Sequence, residues 1–156
     1  MKIVLCWIGK TQESYLRSGI DIYLKRLRHY CALEILEYKD VKTVRSNEEL
    51  RLKEAEVITN GFKNTDLVVL LDEKGKQMDS ISLSKDLQKW LLQSSYKRII
   101  FVIAGAYGAG DKLKQRADFT WSLSNLTFSH QMIRLFLSEQ IYRAFTILKN
   151  EKYHNP

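Results

Sequence analysis

Proline and cysteine are scarce in this chain, and each shortage excludes a class of protein. The single proline is Pro156, at the very end, so no proline-rich hinge divides the sequence. The two cysteines, Cys6 and Cys31, form neither a C-x-x-C motif nor the framework of a disulfide-stabilised secreted domain. We therefore predict one domain over residues 1–156, with both thiols reduced.

Long apolar runs are also missing. No segment approaches the roughly 20 apolar residues that a membrane-spanning helix needs, and the apolar residues 2–8 are too few for a secretory signal. No histidine has a second ligand at metal-binding spacing, and no G-x-x-x-x-G-K-[ST] phosphate-binding loop is present. These absences predict a cytoplasmic protein with no membrane partner, no metal site and no P-loop.

An excess of basic residues is present instead. Lys and Arg number 25 against 18 Asp and Glu, which gives a net charge of +7. Each phosphate that a cation neutralises releases counterions, so this excess favours a polyanionic partner. The charges are dispersed rather than gathered in one run, and ordinary cytosolic domains are often mildly basic. Composition alone therefore leaves nucleic-acid binding open.

Segments with strand and helix periodicity alternate along the chain. The predicted strands are residues 2–8, 33–38, 66–71, 98–103 and 119–123, and a helix follows each. Residues 72–76 are predicted as a polar turn, and Ser46 and Glu49 form an S-x-x-E capping box. Alternation of this kind predicts an α/β fold with a mostly parallel sheet of five to six strands and helices on both faces. From these patterns alone, a flavodoxin-like sheet is the simplest expectation.

The last helix, predicted from His130 onward, is apolar on more than one side. Ile133, Leu137 and Ile141 belong to one stripe, and Phe136 extends the apolar character beyond it. A helix that is apolar almost all round is buried on two sides. In a chain of this size, we expect the second side to be a subunit interface.

Three predicted strand ends carry residues suited to ligand binding, and ligands of open α/β sheets bind outside the carboxyl ends of strands. These ends are Leu71–Asp72, the glycine-rich segment 104–110 and the polar loop 123–128. The glycine segment reads G-x-x-G-x-G, the reverse of the dinucleotide fingerprint, and it follows the fourth strand rather than the first. It therefore disfavours NAD, and a plain turn between strand and helix remains an alternative.

A composite motif near the C-terminus resembles a known family. It runs Leu123-Ser124-x-x-Thr127-Phe128-x-His130-Gln131-Met132-x-Arg134, then Glu139-Gln140-x-Tyr142-Arg143-Ala144, then Tyr153-His154. With the Leu71–Asp72 strand end and the glycine segment, the whole chain resembles the ribosomal RNA large subunit methyltransferase H family of the SPOUT class. The resemblance implies S-adenosylmethionine-dependent methylation of N3 of a pseudouridine in 23S rRNA of the assembled ribosome. It also implies a homodimer with a C-terminal trefoil knot, acting on RNA and not on DNA.

The resemblance further implies which residues form the site. The cofactor is expected to bind residues at the three strand ends: Leu71, Ala104, Gly105, Gly108, Leu123, Ser124, Asn125, Leu126, Thr127 and Phe128. The family usually has glycine where this chain has Ala104, so we expect its methyl group to crowd the methionine moiety, or to strain the backbone if φ is positive there.

The chemical step is assigned to residues near the C-terminus, again through the resemblance. His154, positioned by Tyr153, is expected to act as base or orienter, and Arg143 to stabilise developing negative charge or to hold phosphate. Glu139 is the alternative base. Read from spacing alone, Glu139 and Arg143 are also an ordinary i,i+4 ion pair on the surface of a helix.

Overall fold

The computed structural model describes residues 1–155, in which five strands alternate with five helices. The strands are β1 Lys2–Ile8, β2 Ala32–Tyr38, β3 Asp66–Gln77, β4 Arg98–Ile103 and β5 Phe119–Ser122. The helices are α1 Ser14–Leu27, α2 Asn47–Asn60, α3 Ser80–Leu92, α4 Asp111–Arg116 and α5 Met132–Leu148.

All five strands pair in parallel, in the order β2-β1-β4-β3-β5. The predicted parallel α/β sheet is confirmed, and the flavodoxin-like arrangement is wrong. In that arrangement β3 lies directly beside β1, whereas here β4 lies between them. The order brings the carboxyl ends of β4, β3 and β5 together at one edge of the sheet. The trefoil knot stays a prediction.

Both faces of the sheet are covered, as predicted. Ile3 and Leu5 of β1 pack on one face with residues of α1, α3 and α5, whereas Val4 and Cys6 pack on the other with α2 and α4. Strand residues that alternate between faces and are apolar on both are typical of a parallel sheet between two helical layers. Burial raises the pKa of the Cys6 thiol to about 12, so this cysteine is an inert core residue.

β3 continues beyond the end predicted for it. Residues 72–76 belong to the strand, so the predicted turn is wrong. Both Leu71 and Lys76 align with Trp121 of β5, which means that the residues between them bulge out of the ladder. Gly75 permits the close return, because a Cβ there would lie 2.7 Å from the backbone carbon of Trp121. The polar composition of a bulge is the same as that of a turn, which explains the error.

α5 begins at Met132, slightly later than predicted, because the backbone turns before it. The hydroxyl of Ser129 accepts a hydrogen bond of 3.1 Å from the Met132 amide and so precedes the helix. Leu137 and Ile141 are buried against the core, which confirms the predicted stripe. Among residues 1–155, no helix combines the length and the apolar character needed to cross a membrane.

Arg134 fastens the first turn of α5 to the carboxyl end of β1. Its side chain is fully buried, and Nη2 donates to the Ile8 carbonyl at 2.6 Å. Nη1 donates to the Gly9 carbonyl and to the Thr11 hydroxyl, both at 3.0 Å. Burial lowers the pKa of Arg134 to about 10, and no carboxylate forms an ion pair with it in the described chain. Backbone carbonyls therefore solvate this buried cation.

Candidate functional site

A cavity of about 410 Å³ opens at the carboxyl edge of the sheet, where β4 and β5 end beside the bulge of β3. Except for Asn125, which is exposed and lies outside the lining, every residue predicted to bind a cofactor lines this cavity. Those residues are Leu71, Ala104, Gly105, Gly108, Leu123, Ser124, Leu126, Thr127 and Phe128. The three strand ends selected from the sequence therefore share one concave surface.

Hydrogen bonds tie two of the strand ends together across the cavity mouth. The Thr127 hydroxyl, in the loop after β5, donates to Oε2 of Glu73 in the β3 bulge at 2.8 Å. Within the same loop, the Ser124 hydroxyl accepts from the Leu126 amide at 3.0 Å, and the Ser122 hydroxyl donates to the Ser124 carbonyl at 2.8 Å. These short-range bonds give the loop a defined shape without a regular element.

The glycine segment after β4 forms a tight turn at the cavity wall. The Gly108 amide donates to the Gly105 carbonyl at 3.0 Å, and Gly108 has a φ of +86°, which favours glycine. Ala104 is not among the residues with positive φ, so alanine is accommodated there without the backbone strain that we considered. Its methyl group does reach the cavity wall, where crowding of a ligand stays a prediction.

Several residues of the lining were missed by the sequence analysis. Arg51 of α2 and Lys114 of α4 bring cations to a lining that also contains the acids Asp72 and Glu73. Trp121 of β5 also lines it, and its indole Nε1–H is buried without an acceptor among residues 1–155. Arg51 and Lys114 belong to the two helices that cover one face of the sheet, α2 and α4. Nothing in the local sequence pattern of these helices marks the two residues as neighbours of the strand ends.

A second group of polar residues lies further along α5. Arg143 donates from Nε and Nη2 to Oε1 of Glu139, at 3.0 and 2.5 Å. The Tyr153 hydroxyl donates to the same oxygen at 3.1 Å, and Nη1 of Arg143 lies 3.4 Å from Nδ1 of His154. The structure thus brings together all four residues predicted for the chemical step. We call Glu139, Arg143, Tyr153 and His154 the tail cluster.

Aromatic rings hold the tail cluster in place. The Tyr153 ring meets Tyr142 edge-on at 4.8 Å between centroids, and the Arg143 guanidinium lies 4.7 Å above the Tyr153 ring. The Tyr153 hydroxyl is also 3.3 Å from that of Tyr23 on α1. The sequence analysis did not select Tyr23, because its position three residues after the buried Ile20 of α1 gives no sign of a polar contact with Tyr153. Burial, together with the contacts to Tyr23 and Glu139, raises the pKa of Tyr153, so its phenol stays protonated.

The tail cluster and the cavity are separate within one chain. None of the four tail-cluster residues lines the cavity, which reaches α5 only at Ile133. Glu139 lies six residues further along the helix, or about 9 Å at 1.5 Å per residue. A ligand in the cavity and the tail cluster therefore occupy different parts of the protomer.

Sequence comparisons agree with this geometry. The family described as predicted SPOUT methyltransferase matches residues 1–154, which include every strand, the cavity and the tail cluster. The chain belongs to the SPOUT methyltransferase family.

Three relatives that align with this SPOUT chain along its whole length carry the same name. It is 50% identical to the ribosomal RNA large subunit methyltransferase H of Christiangramia forsetii, with 99% of both chains aligned. It is 44% identical to the protein of the same name from Geobacter metallireducens, again over 99% of both chains. The relative from Flavobacterium johnsoniae is also 44% identical over 99% of both chains. The resemblance predicted from sequence is confirmed over the whole chain, and the roles of single residues stay predictions.

Proposed function

We propose that this chain is an S-adenosylmethionine-dependent methyltransferase of large-subunit ribosomal RNA, with N3 of a pseudouridine in 23S rRNA as its target. The observation that carries the proposal is the cavity at the ends of β4, β3 and β5, in a member of a methyltransferase family. Relatives aligned along the whole chain are named for ribosomal RNA methylation. The net charge of +7 agrees with a polyanionic substrate.

The cavity suits S-adenosylmethionine in charge and in hydrogen-bonding capacity. The ligand carries ammonium, sulfonium and carboxylate groups, and the lining combines Asp72 and Glu73 with Arg51 and Lys114. The Nε1–H of Trp121, another residue of the lining, has no acceptor among residues 1–155, and a buried donor left unpaired costs about 1–3 kcal/mol. When bound, S-adenosylmethionine supplies the electrophilic methyl carbon.

The target nitrogen must lose its proton before it can attack. N3 of a pseudouridine lies between two carbonyl groups, and its deprotonated form carries negative charge that a cation would stabilise. The hydrogen bond with Glu139 raises the pKa of Arg143, so this guanidinium remains charged. With the protonated phenol of Tyr153 beside it, Arg143 is suited to hold the anionic base.

The contacts of His154 favour an orienting role over that of general base. Arg143 can only donate, so its approach to Nδ1 of His154 favours the tautomer that carries hydrogen on Nε2. In this tautomer His154 offers a donor to a base carbonyl, and the N3 proton leaves to water. The carboxylate of Glu139 is a poor alternative base, since both of its oxygens already accept hydrogen bonds, from Arg143, Tyr153 and Gln140.

An apolar surface beside the tail cluster supports the homodimer. Phe136 is 40% exposed on α5, and its ring packs against that of Phe128 at 5.1 Å. On the neighbouring helix α1, Tyr15 and Ile22 are exposed as well. Large apolar side chains that stay exposed on two neighbouring helices are typical of a protein interface. We therefore propose that a second copy of this chain covers the second apolar side of α5.

Dimerisation would also bring the cavity and the tail cluster together. Phe136, Glu139 and Arg143 follow one another at helical spacing along the same side of α5. A two-fold contact at Phe136 would carry the tail cluster of one protomer toward the other protomer, and symmetry repeats the arrangement. We propose that each active site combines the cavity of one protomer with the tail cluster of its partner.

Transfer of tritium from labelled S-adenosylmethionine tests the activity. The acceptors are ribosomes that lack the modification, compared with free 23S rRNA and with fully modified ribosomes. We expect label in large-subunit RNA of the unmodified ribosomes, at higher yield than in free rRNA, and none in the modified control. Salt-dependent RNA binding without any methyl transfer would instead identify a non-catalytic RNA-binding protein.

Mixing of two impaired variants tests the shared site. One variant carries Gly105→Ala in the cavity, and the other carries His154→Ala in the tail cluster, and each alone should be about tenfold slower when the cofactor is below saturation. Mixed dimers retain one intact combination, so random exchange of subunits should raise the rate to about a quarter of the wild-type rate. A mixture as slow as its components would place both halves of the site in one protomer.

A further inference from the structure

A buried carboxylate lies directly behind the cavity wall. Glu54 projects from α2 and is only 7% exposed. A Cβ atom on Gly105 would lie 2.3 and 2.7 Å from its two carboxylate oxygens, so the carboxylate rests against the α-carbon of Gly105. Because Gly105 lines the cavity, a single residue without a side chain separates this acid from a bound ligand.

The carboxylate of Glu54 has no partner of its own in the described chain. The ion pairs among residues 1–155 do not include it, whereas Glu49 on the same helix pairs with Lys53 at 2.8 Å. Burying a charge costs free energy, and an opposite charge on a ligand beside it would offset part of that cost. Burial raises the pKa of Glu54, and the nearby carboxylate of Asp40 raises it further.

The groups around Glu54 define which ligand charge the site favours. Asp40 follows β2, and its carboxylate lies against Gly9 at the end of β1, so it adds a second negative charge on that side. Arg51 lies one turn earlier on α2 and faces the cavity, where it forms no ion pair with Glu54. The wall at Gly105 is therefore backed by negative charge that no lysine or arginine neutralises by direct contact.

We propose that Glu54 is the counter-charge for the methyl donor, and that through Gly105 it favours a ligand with a sulfonium over the same ligand with a neutral thioether. The inference rests on the proposed function, since it takes S-adenosylmethionine as the ligand of this cavity. The charge of Glu54 would affect turnover in two ways. The positively charged donor is held more tightly, and the product, which has lost the sulfonium charge, is released more readily.

The size of the effect follows from the distance and the surroundings. One unit charge a few ångströms from another, at an effective dielectric constant near 20, changes an affinity by about tenfold or more. Glu54 acts across Gly105 and touches no reacting atom, so it is a positioning charge and not a catalytic residue. Its influence should therefore appear in binding equilibria and not require turnover to be detected.

Calorimetric titration with two ligands isolates this charge effect. S-adenosylmethionine and S-adenosylhomocysteine differ by the methyl group and the sulfonium charge, and both are titrated at about pH 8, where a carboxyl group is ionised. We expect Glu54→Gln to weaken binding of S-adenosylmethionine about tenfold and to leave that of S-adenosylhomocysteine within about twofold. The control Glu56→Gln removes the same charge from an exposed position of α2 and should change neither affinity.

Each other result has a defined meaning. Equal weakening of both ligands by Glu54→Gln would show that the residue only shapes the turn at Gly105, and no change in either would also overturn the proposal. If Glu54→Gln unfolds, Glu54→Asp replaces it, and the selectivity of this variant for the sulfonium should be lower than that of the wild type. Failure of the wild-type protein to bind either ligand would overturn the proposed function itself, a result distinct from the loss of selectivity.

Discussion

The phenol of Tyr153 donates a hydrogen bond to Oε1 of Glu139 across 3.1 Å, and this contact folds the C-terminal segment back along α5. The same oxygen accepts two hydrogen bonds from Arg143, at 3.0 and 2.5 Å. One carboxylate thus aligns a phenol and a guanidinium that are separated in the sequence by a helix end and a turn. The arrangement makes the position of Tyr153 sensitive to the loss of a single hydroxyl group.

Tyr153→Phe should slow methyl transfer without weakening the binding of the cofactor. The variant keeps the ring on Tyr142 but loses the hydrogen bond to the Glu139 carboxylate. This carboxylate is only partly buried and keeps its hydrogen bonds from Arg143, so we expect the loss to be about 1 kcal/mol. We expect the single-turnover rate to fall about fivefold, and the affinity for S-adenosylmethionine to stay within about twofold, because Tyr153 lies outside the cavity. Tyr96→Phe, at a partly exposed tyrosine outside both the cavity and the tail cluster, should change neither quantity.

His154→Ala tests the role of the imidazole in the chemical step. An orienting donor should contribute about tenfold to the single-turnover rate, and a general base about 100-fold or more. The pH profile separates the two, since loss of a base also removes an ionisation from the profile. His29→Ala, at an exposed histidine of the same chain, is the matched control. A rate within about threefold of the wild type would remove His154 from the chemical step.

Arg134→Ala should destabilise the fold more than any surface arginine does. The change leaves the Ile8 and Gly9 carbonyls and the Thr11 hydroxyl without their buried donor. We expect a loss of about 3 kcal/mol in the free energy of unfolding by urea, and a fall of about 6–12 °C in melting temperature.

Two further variants control this experiment. Arg134→Lys should recover only part of the loss, because one ammonium group does not reproduce the planar fork of donors. Arg28→Ala, at an exposed arginine, should stay within about 0.5 kcal/mol of the wild type. If Arg134→Ala were equally mild, the anchoring of α5 to β1 would have to come from other contacts.

The buried ion pair between Asp66 and Arg98 should make stability depend on acid pH. Arg98 donates to the carboxylate at 2.8 and 2.6 Å, and the Lys63 amide donates at 2.7 Å. Burial alone would raise the pKa of Asp66, but these hydrogen bonds outweigh it and lower the pKa below its ordinary value. The stabilisation is therefore complete above the unfolded-state pKa of about 3.9, and is lost as the pH falls through the lower folded-state value.

Urea unfolding over a series of pH values measures this contribution. Asp66→Asn should lower the free energy of unfolding by about 2–3 kcal/mol at neutral pH, and the difference from the wild type should shrink toward acid pH. Asp21→Asn, at an exposed position of α1, should leave the acid dependence unchanged. A constant difference between Asp66→Asn and the wild type at every pH would show that the charge of Asp66 is not involved.

Gly105→Ala and Gly108→Ala should separate close packing from backbone strain. At Gly105 a methyl group meets the Glu54 carboxylate at 2.3 Å, so the carboxylate or the cavity wall must move. We expect affinity for S-adenosylmethionine, measured by calorimetry, to fall about tenfold. At Gly108 a methyl group meets nothing within 4 Å, and only the positive φ costs energy, about 1–2 kcal/mol of stability. The opposite ranking in affinity would contradict the packing described around Gly105.

Local patterns were sufficient for the elements of this fold but not for their order. The capping box is confirmed in part, since the Ser46 hydroxyl accepts from the Glu49 amide at 3.1 Å, whereas the Glu49 carboxylate accepts from Arg45 and not from Ser46. Periodicity reports which side of an element is buried, and carries no information on which strand lies beside it. The position of β4 between β1 and β3 was for that reason not predictable from the strands themselves.

The site shows the same division between local and distant information. The strand ends at Leu71, Gly105 and Thr127 are marked by their own residues, so the sequence was enough to select them. The sequence does not distinguish Glu54 from other acids of its helix, or Trp121 from other core residues. What distinguishes them is that Glu54 has no ion pair and the Trp121 indole no acceptor among residues 1–155, which only the structure reveals. The separation of the tail cluster from the cavity depends on the direction of α5 relative to the sheet, which no motif encodes.

The hairpin formed by α5 and the residues after it bears on how the protein is best handled. Tyr30 holds Glu151 by a hydrogen bond of 2.5 Å, and Tyr153 and His154 then run back over Arg143. A purification tag or fluorescent fusion joined to the C-terminus would start two residues after His154 and compete with these side chains for the same surface. Met1 is exposed and precedes β1 at the amino edge of the sheet, so attachments made there leave the opposite, ligand-binding edge clear.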